Sequence, residues 1–569
     1  MATMTEDDMP SPPPLVSDEE IAHCVAILER FHTESGLVAY QEPRYKPLRK
    51  AVMPLVSELR KKFFHGQSVD DDTQRQEKKR KLKIERARQK ALDQQFINNT
   101  KLRADRLARL TQLTEENPLL AQVPDGVSSS DHLLTAHGEQ ETKTEADETT
   151  AVMDGAELHH HRACYTCKTK FRQLHHFYDR LCPSCAALNF KKRLQTADLR
   201  DHVAIVTGAR VKIGYEIALK LLRSGAIVVA TTRFPKDAAY RYAKEADFAE
   251  WKDRLQVYGL DFRDLGVIDK FMDHVEQTFG RADILINNAT QTIRRPVHYY
   301  KHLLEAEVAP VPEEFAPARA LLQGNAKLLG LENGEAASTE SNAPASAIVP
   351  AVRAPSQELA TAAAVPSSVL LSQVVMVPED QEDVETAALF PQGQVDNNKQ
   401  QVDLRKRNTW VQKIDEIETM ELVEVFAINT MAPFILNKRV IPLLEKSKNA
   451  QKFIINVSAM EGKFYRAKTP NHPHTNMAKA AVNMMTRTCA EDLAKQGIYM
   501  NSVDTGWIND ENPREVAARI AMSHNFQTPL DEVDAAARVL DPIFVLHQSD
   551  NKEPPLVGQF LKDYKVSEW

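Results

Sequence analysis

Nowhere in the 569 residues is there a run of ~18 apolar side chains, the length that carries a helix through a bilayer. That absence argues against a membrane span. The opening stretch, MATMTEDDMPSPPP, is acidic and proline-rich, where a secretory signal needs a basic start and an apolar core. Six cysteines are too few to staple so long a chain with disulfides. Together these absences predict a cytoplasmic protein. A hydrophobic share of 43% against 27% charged is slightly too polar for one fully globular body, so some chain is expected to be disordered. At roughly 100–200 residues per domain the length implies about three or four units. The net charge of −7 names no partner by itself.

Residues 1–16 read as a disordered leader. Residues 17–113 read as helical and basic. IAHCVAILERF and LRKAVMPLVSELRKKFF are apolar at helical spacing. RQEKKRKLKIERARQKALDQQF (75–96) and KLRADRLARL (101–110) then concentrate Lys and Arg, with no Gly or Pro. A long, solvated, salt-bridged helix is the simplest reading. The same charge would suit nucleic acid, an anionic membrane or an acidic partner. Lys78-Lys79-Arg80-Lys81-Leu82-Lys83 also has the composition of a nuclear-import patch. Phe96 is the lone aromatic there, which argues against stacking on single-stranded bases. Residues 114–157 are Ser/Thr/Glu-rich and aperiodic, as a linker is.

Residues 158–193 hold a cysteine cluster. Cys164 and Cys167 are followed, after fourteen residues, by Cys182 and Cys185. Two CxxC knuckles at that separation can place four thiolates tetrahedrally around one Zn²⁺. With every position filled by cysteine the site is closed, hence structural rather than catalytic. Phe171, Phe177, Tyr178 and Leu181 between the knuckles supply a core too small to stand without metal. Four free or redox-active thiols are the alternative, and His175 and His176 sit close enough to exchange as ligands.

From Asp201 buried strands alternate with amphipathic helices: HVAIVTGA, AIVVATTRF, LQVYGLDF and ADILINNAT are strands, with GYEIALKLLRSG and VIDKFMDHVEQTFG as helices between them. That alternation predicts an α/β, doubly wound parallel sheet. An insert at 301–404, largely low-complexity, interrupts it just after the fourth strand, where ligands bind such sheets; its SSVLLSQVVMVPEDQEDVETAALFP portion is expected to roof the pocket. The pattern resumes with a long helix from Trp410, the strand KFIINVSA, the helix TNMAKAAVNMMTRTCAEDLAKQG, the strand IYMNSVD and a last strand in PPLVGQFLKDY. The two halves, 201–300 and 405–569, total about 265 residues, which suits one domain. Thr207-Gly208-Ala209-Arg210-Val211-Lys212-Ile213-Gly214 joins the first strand to its helix. A phosphate belongs there: Gly208 permits a tight turn, Gly214 lets helix and strand approach, and a helix N-terminus attracts anions.

These motifs, with Asp261-Phe262 after the third strand, Asn287-Asn288-Ala289-Thr290, Asn429 and Lys479, resemble the short-chain dehydrogenase/reductase family. HPHTNMAKAAVNM, VDTGWI and GQFLKDY look more narrowly like an atypical subgroup in which a CxxC…CPxC module precedes the Rossmann domain. The resemblance implies a dinucleotide coenzyme, with Thr207, Gly208, Arg210, Lys212, Ile213 and Gly214 around its pyrophosphate. It implies Asp261 and Phe262 at the adenine, Asn288 beside the ribose, Lys479 on the nicotinamide ribose and Asn429 ordering a relay water. The second strand ends in Thr232-Arg233, where an NAD enzyme carries an acid. Arg233 favours a 2′-phosphate, so NADP(H) is expected over NAD(H). The reading to weigh against this is that Lys212 and Arg233 are surface cations and the groove is empty.

The reaction centre departs from the family pattern. Ala459 stands at the usual serine, with Ser458 one place early, and Thr475 stands at the usual tyrosine. An aliphatic hydroxyl is a far poorer acid than a phenol, so a loss of about 10²–10⁴-fold in proton-transfer help follows unless another group serves. Tyr465, His472 and His474 are the candidates, His474 foremost, with Ser458 and Thr475 orienting the substrate; loop-shaping is the bland reading of all three. The loop after the sixth strand is altered as well, to Thr505-Gly506. Two functions stand: an NADP(H)-dependent oxidoreductase with an altered proton donor, acting on an unidentified carbonyl or alcohol, or a non-catalytic NADP(H)-binding scaffold or sensor with a zinc ribbon and a basic helix. A nucleic-acid-associated zinc protein with a vestigial Rossmann domain is a third, more distant reading. Pairing of Rossmann domains into a homo-oligomer fits either of the first two.

Overall fold

The computed structural model describes residues 16–63, 68–116, 152–330, 367–381, 388–391, 393–395, 400–465, 467–509, 511–513, 527–549 and 553–569. The expected leader falls outside these apart from Val16, as do most of the expected linker and the Ala/Pro/Ser-rich stretch of the insert. The chain divides into two units, Met1–Leu92 and Asp93–Trp569.

In the first unit, Ser17 starts the helix Asp18–Glu29 with a capping box. The Ser17 hydroxyl accepts from Glu20 N at 3.3 Å, and the Glu20 carboxylate accepts from Ser17 N at 2.9 Å. Helices Glu34–Ala39 and Lys46–Phe63 follow, and the helix Ser68–Asn98 runs on across the boundary. Among the described side chains of 16–92 none is buried. The basic stretch there is solvated, with Lys81 3.3 Å from Glu77 one helical turn away.

In the second unit the segment 101–110, expected as more of the exposed basic helix, is built into the cysteine module. Ile97 and Leu102 pack with Leu158, Phe171, Phe177 and Tyr178. Arg103 is 3% exposed and lies 3.7 Å from Asp179. The apolar positions of this helix decide its place, and its arginines are spent on buried partners. Strand β1 (Val152–Ala163), which starts inside the expected linker, pairs antiparallel with β2 (Lys170–His175), and the helix Pro183–Leu194 closes the module.

Eight strands then form one sheet: β3 (Val203–Thr207), β4 (Ile227–Thr232), β5 (Leu255–Gly259), β6 (Ile284–Asn287), β7 (Lys452–Ser458), β8 (Ile498–Asp504), β9 (Phe560–Lys562) and β10 (Lys565–Ser567). Their order is β10-β9-β8-β7-β6-β3-β4-β5, parallel throughout except for the β9–β10 hairpin. This is the expected α/β, doubly wound architecture. Strands buried on both faces favour apolar side chains, which is why β3 reads as a nearly unbroken run, whereas β7 satisfies its buried Asn456 and Ser458 by bonds to Thr486 and Asn483. One face packs the helices Lys212–Arg223 and Glu532–Gln548. The other packs Gly266–Phe279 and Thr419–Glu445. The helix Glu532–Gln548, unremarked in the sequence, has its own signal in the capping box of Asp531 with Asp534.

The helix expected from Trp410 starts instead at Thr419, after a short 3₁₀ turn capped by Asn408. By length and composition alone Thr419–Glu445 could cross a membrane, although half of its apolar window is buried. It is a core helix of the sheet, with Val425, Leu436, Val440 and Leu443 inside.

The insert holds more order than its composition suggests. Gln256 on edge strand β5 donates to Ala320 O at 3.2 Å and accepts from Gly324 N at 3.0 Å, so the insert covers an edge that would otherwise be open. Buried Glu307 accepts from Lys236 N and Asp237 N at 3.1 and 2.9 Å and caps the helix Pro235–Ala243. A chain of buried charges ties the later part of the insert to the sheet. Arg294 binds both Asp380 oxygens at 2.9 and 2.5 Å and Glu424 at 2.9 Å; Glu424 accepts from Arg263 at 3.1 Å, and Arg263 pairs with Asp261 at 2.6 Å. Removing one member leaves the others buried without a counter-charge. Replacement of Arg294 by Met is therefore expected to cost about 3–5 kcal/mol in denaturant unfolding, whereas Arg319→Met, at an exposed pair of the same insert, should cost less than about 1 kcal/mol.

Candidate active site

The carboxyl ends of β3 to β8 open into a cavity of about 1100 Å³. β3 lies between β4 and β6. The helices that follow β3 and β6 therefore depart to opposite faces, and a crevice opens between them.

The turn after β3 is shaped by the absence of side chains. Gly208 has φ +67°, and a Cβ there would sit 2.9 Å from Ala289 Cα. A Cβ on Gly214 would lie 2.2 Å from Gly208 O, which no movement of a side chain relieves. The helix Lys212–Arg223 begins without a side-chain cap, so its first amides are left for an anion. Lys212 occupies the left-handed region at φ +53°, where glycine is at ease, at a cost of roughly 1–2 kcal/mol. With its amide oriented to satisfy both neighbours, Asn509 accepts from Lys212 Nζ at 3.1 Å. Arg210 and Ile213 line the cavity, but Arg210 is paired with Asp237 at 2.7 Å. Thr207 does not line it. Its hydroxyl donates to Ile286 O at 3.2 Å and accepts from Asn288 N and Ala289 N, so it stitches β3 to β6 instead of touching a coenzyme. Asn288 lines the cavity while donating to Thr207 O and Gly208 O, which braces the turn.

At the end of β4, Arg233 lies against the ring of Tyr300, 4.5 Å from its centroid, and donates to the Tyr300 hydroxyl at 2.8 Å. Asp261 and Phe262 line the same end. Burial pushes the Asp261 carboxyl up, but Arg263, donating from N, Nε and Nη2, holds it below the usual range. An adenine would find that carboxylate already occupied by three donors.

The other end of the cavity holds Lys479, Ser458, Ala459 and Thr475. Thr475 and Lys479 are four apart on the helix Pro473–Ala494 and share a face. Lys479 Nζ donates to Val457 O at 2.8 Å, and burial pulls its ammonium down to about 8 while Glu461 resists. Ser458 donates to Asn483 Oδ1 at 2.6 Å, a buried structural bond. Ala459 brings no hydroxyl. The Thr475 hydroxyl is buried and makes no hydrogen bond. Asn429 sits in a π turn, Ala427–Met431, and its amide exchanges two bonds with the Gln291 backbone, at 2.7 and 3.0 Å. Its side chain is thus committed to the Gln291 backbone.

His474, the expected relocated acid, does not line the cavity. One residue before Thr475, it is rotated about 100° round the helix and lies 3.5 Å from Glu421. His472 stacks on Trp410 at 3.9 Å between centroids and shares a hydrogen bond with Trp410 O at 2.7 Å. Tyr465 does line the cavity, 56% exposed, with Lys463 Nζ 4.6 Å from its ring. Tyr165 enters from an unforeseen side, out of the cysteine module. An aromatic residue between two knuckle cysteines was the one sequence signal for it. The cysteine sulfurs themselves, Cys164, Cys167, Cys182 and Cys185, all lie within 4.8 Å of one another, and neighbours around a tetrahedral Zn²⁺ stand about 3.8 Å apart. The four thiols can hold a metal ion.

Residues 202–306 match the short chain dehydrogenase family profile, and residues 405–548 match one described as Enoyl-(Acyl carrier protein) reductase. The gap between the two matches falls within the insert. An uncharacterised protein of Acanthamoeba polyphaga mimivirus is 30% identical over 401 residues, which cover 68% of this chain and 72% of that protein. The chain belongs to the short-chain dehydrogenase/reductase family. (+)-Neomenthol dehydrogenase of Capsicum annuum is 33% identical over 114 residues, 19% of this chain and 36% of that enzyme. The chain thus spans about a third of that dehydrogenase, against most of the viral protein. Among solved structures, NADPH-bound carbonyl reductase from chicken fatty liver aligns over 65% of this chain and all of its own, at 19% identity and a TM-score of 0.36.

Lys479 carries a pH-dependent cost. Its ammonium titrates near 10.5 when unfolded and about 8 in the fold. Between those values the unfolded state binds more protons, so folding stability rises with pH across about 8 to 10.5 and is lowest below 8. Lys479→Met is expected to stabilise the protein at pH 7 by about 3 kcal/mol. Thermal melts from pH 7 to 10 should show that gain shrinking toward zero. A gain independent of pH would contradict the assignment.

Proposed function

We propose that the chain is an oxidoreductase that moves hydride between NADP(H) and a carbonyl or alcohol, with a proton donor other than the family's tyrosine. The observation that carries this reading is Arg233 at the carboxyl end of β4, lining the crevice where an NAD enzyme places an acid. The uncapped amides of Lys212 to Gly214 would receive the pyrophosphate, Arg233 the 2′-phosphate, and Lys479 the nicotinamide ribose. When bound, the coenzyme supplies or accepts the hydride. Thr475, buried and unpartnered, offers a substrate oxygen a hydrogen bond, whereas Ser458 is spent on Asn483. Zn²⁺ on the four cysteines would be structural. A second reading, a non-catalytic NADP(H)-binding scaffold, draws its support from Ala459, from Thr475 and from His474 pointing elsewhere.

Calorimetric titration separates the possibilities. NADPH should bind at least ten times more tightly than NADH. Arg233→Ala should erase most of that preference, since a charge-assisted contact contributes about 1.5–3 kcal/mol, or roughly 10- to 100-fold. Equal affinities for NADPH and NADH would refute the 2′-phosphate assignment. NADPH binding without stereospecific hydride transfer to any aldehyde or ketone of a broad panel would favour the scaffold.

A further inference from the structure

The cysteine module forms part of the wall of the cavity, and its contacts there are specific. Tyr165 lies between the ligand positions Cys164 and Cys167. Its backbone is fixed by Tyr165 N donating to Arg180 O at 2.8 Å, and the knuckle closes through Lys168, which holds φ +65°. The Tyr165 hydroxyl accepts from Trp507 N at 3.0 Å. Gly506, next to that amide, has φ +79°, and a Cβ there would lie 2.6 Å from the buried Leu530 side chain.

Trp507 follows β8 by three residues. Asp504, the last residue of β8, pairs in register with Ser458, and the preceding Val457 carbonyl holds Lys479. The phenol therefore meets the loop at the Lys479 end of the sheet. From there the loop crosses the crevice. Trp507 Nε1 donates to Asn509 O at 2.9 Å, and the Asn509 side chain accepts from Lys212 at the phosphate turn. On its other side, Thr528 donates to Ile508 O at 2.9 Å and is itself held by Arg106, from the helix beside the module, at 2.6 Å. Residues 505–509 are thus strung between the sulfur cluster and the turn that faces the coenzyme.

We infer that Tyr165 is a coenzyme-positioning residue, and that metal on the four cysteines and dinucleotide in the crevice stabilise each other through Tyr165 and the 505–509 loop. This rests on the reading of the crevice as an NADP(H) site. Two ligands that favour one arrangement of a shared element must raise each other's affinity by the same factor.

The test uses the full chain loaded with one Zn²⁺. NADPH affinity is measured by calorimetry, and Zn²⁺ affinity by competition with a chromogenic chelator, with and without saturating NADPH. Saturating NADPH is expected to tighten Zn²⁺ at least tenfold. Tyr165→Phe keeps the ring and the four ligands but loses the hydroxyl. It should keep one Zn²⁺ and the wild-type Tm, weaken NADPH about fivefold, and reduce the mutual effect by a similar factor. A Zn²⁺ affinity unmoved by NADPH, in protein that calorimetry shows to bind NADPH, overturns the inference and leaves the coenzyme site standing. NADPH that fails to bind Zn²⁺-loaded protein at all overturns both. If stripping the metal unfolds the chain, the Tyr165→Phe comparison still decides, because metal stays bound throughout it; an unchanged NADPH affinity there refutes the role of the phenol.

Discussion

The site depends on a steric constraint at the first turn of the sheet. Gly208 and Gly214 bring strand β3, the following helix and the β6 loop so close that no Cβ fits between them. Only then do the helix amides stand at the bottom of the crevice, with no side-chain cap among the described residues. Asn288 holds the arrangement by binding the Thr207 and Gly208 carbonyls. Lys212, in a conformation that glycine prefers, shows that the turn retains this shape even where the residue resists it.

Around that turn the chain spends charge on organisation more than on stability. The run Asp261, Arg263, Glu424, Arg294, Asp380 alternates in sign and is buried throughout. Such a run rarely stabilises a fold relative to apolar packing, because each ion must leave water. It does fix geometry. It joins the end of β5, the loop after β6, the helix that carries Asn429 and the insert, so four segments distant in sequence meet in one register beside the cavity. The insert, largely low-complexity, is anchored where its described residues carry Asp380 and Asp403, which pair with Arg294 and Arg405 outside it.

The fold was legible because its signals are local. Apolar runs named β3 to β9, and Gly208 with Gly214 marked the turn. What stayed hidden depends on long-range pairing. The module's Tyr178 reaches Asp534, Arg193 reaches Asp531, and Tyr165 reaches Trp507, each pair more than 330 residues apart. No periodicity reports such contacts. The site residues followed the same division. Thr475 and Lys479 share a helix face by their spacing alone, and the same geometry turns His474 away, so a histidine adjacent in sequence to the vacant position could not serve it. Thr207 and Asp261 sat where the family motif places them, but what their side chains bind was set by β6 and by Arg263, which the motif does not contain.

The reaction centre poses a physical question of its own. Lys479 is buried, bonds one carbonyl and titrates at about 8 because desolvation outweighs the distant pull of Glu461. The ammonium answers the buried Val457 carbonyl at the cost of its own desolvation. By the family resemblance, Thr475 stands where the phenol that such a lysine assists is expected. The cavity also presents the free hydroxyl of Thr475, and its far end presents Arg233. At one end Arg233 is held by the Tyr300 hydroxyl and ring, and at the other Lys479 is held by the Val457 carbonyl. The proposed dinucleotide, anionic at one end and rich in hydroxyls at the other, would meet a polar group of the chain at each end.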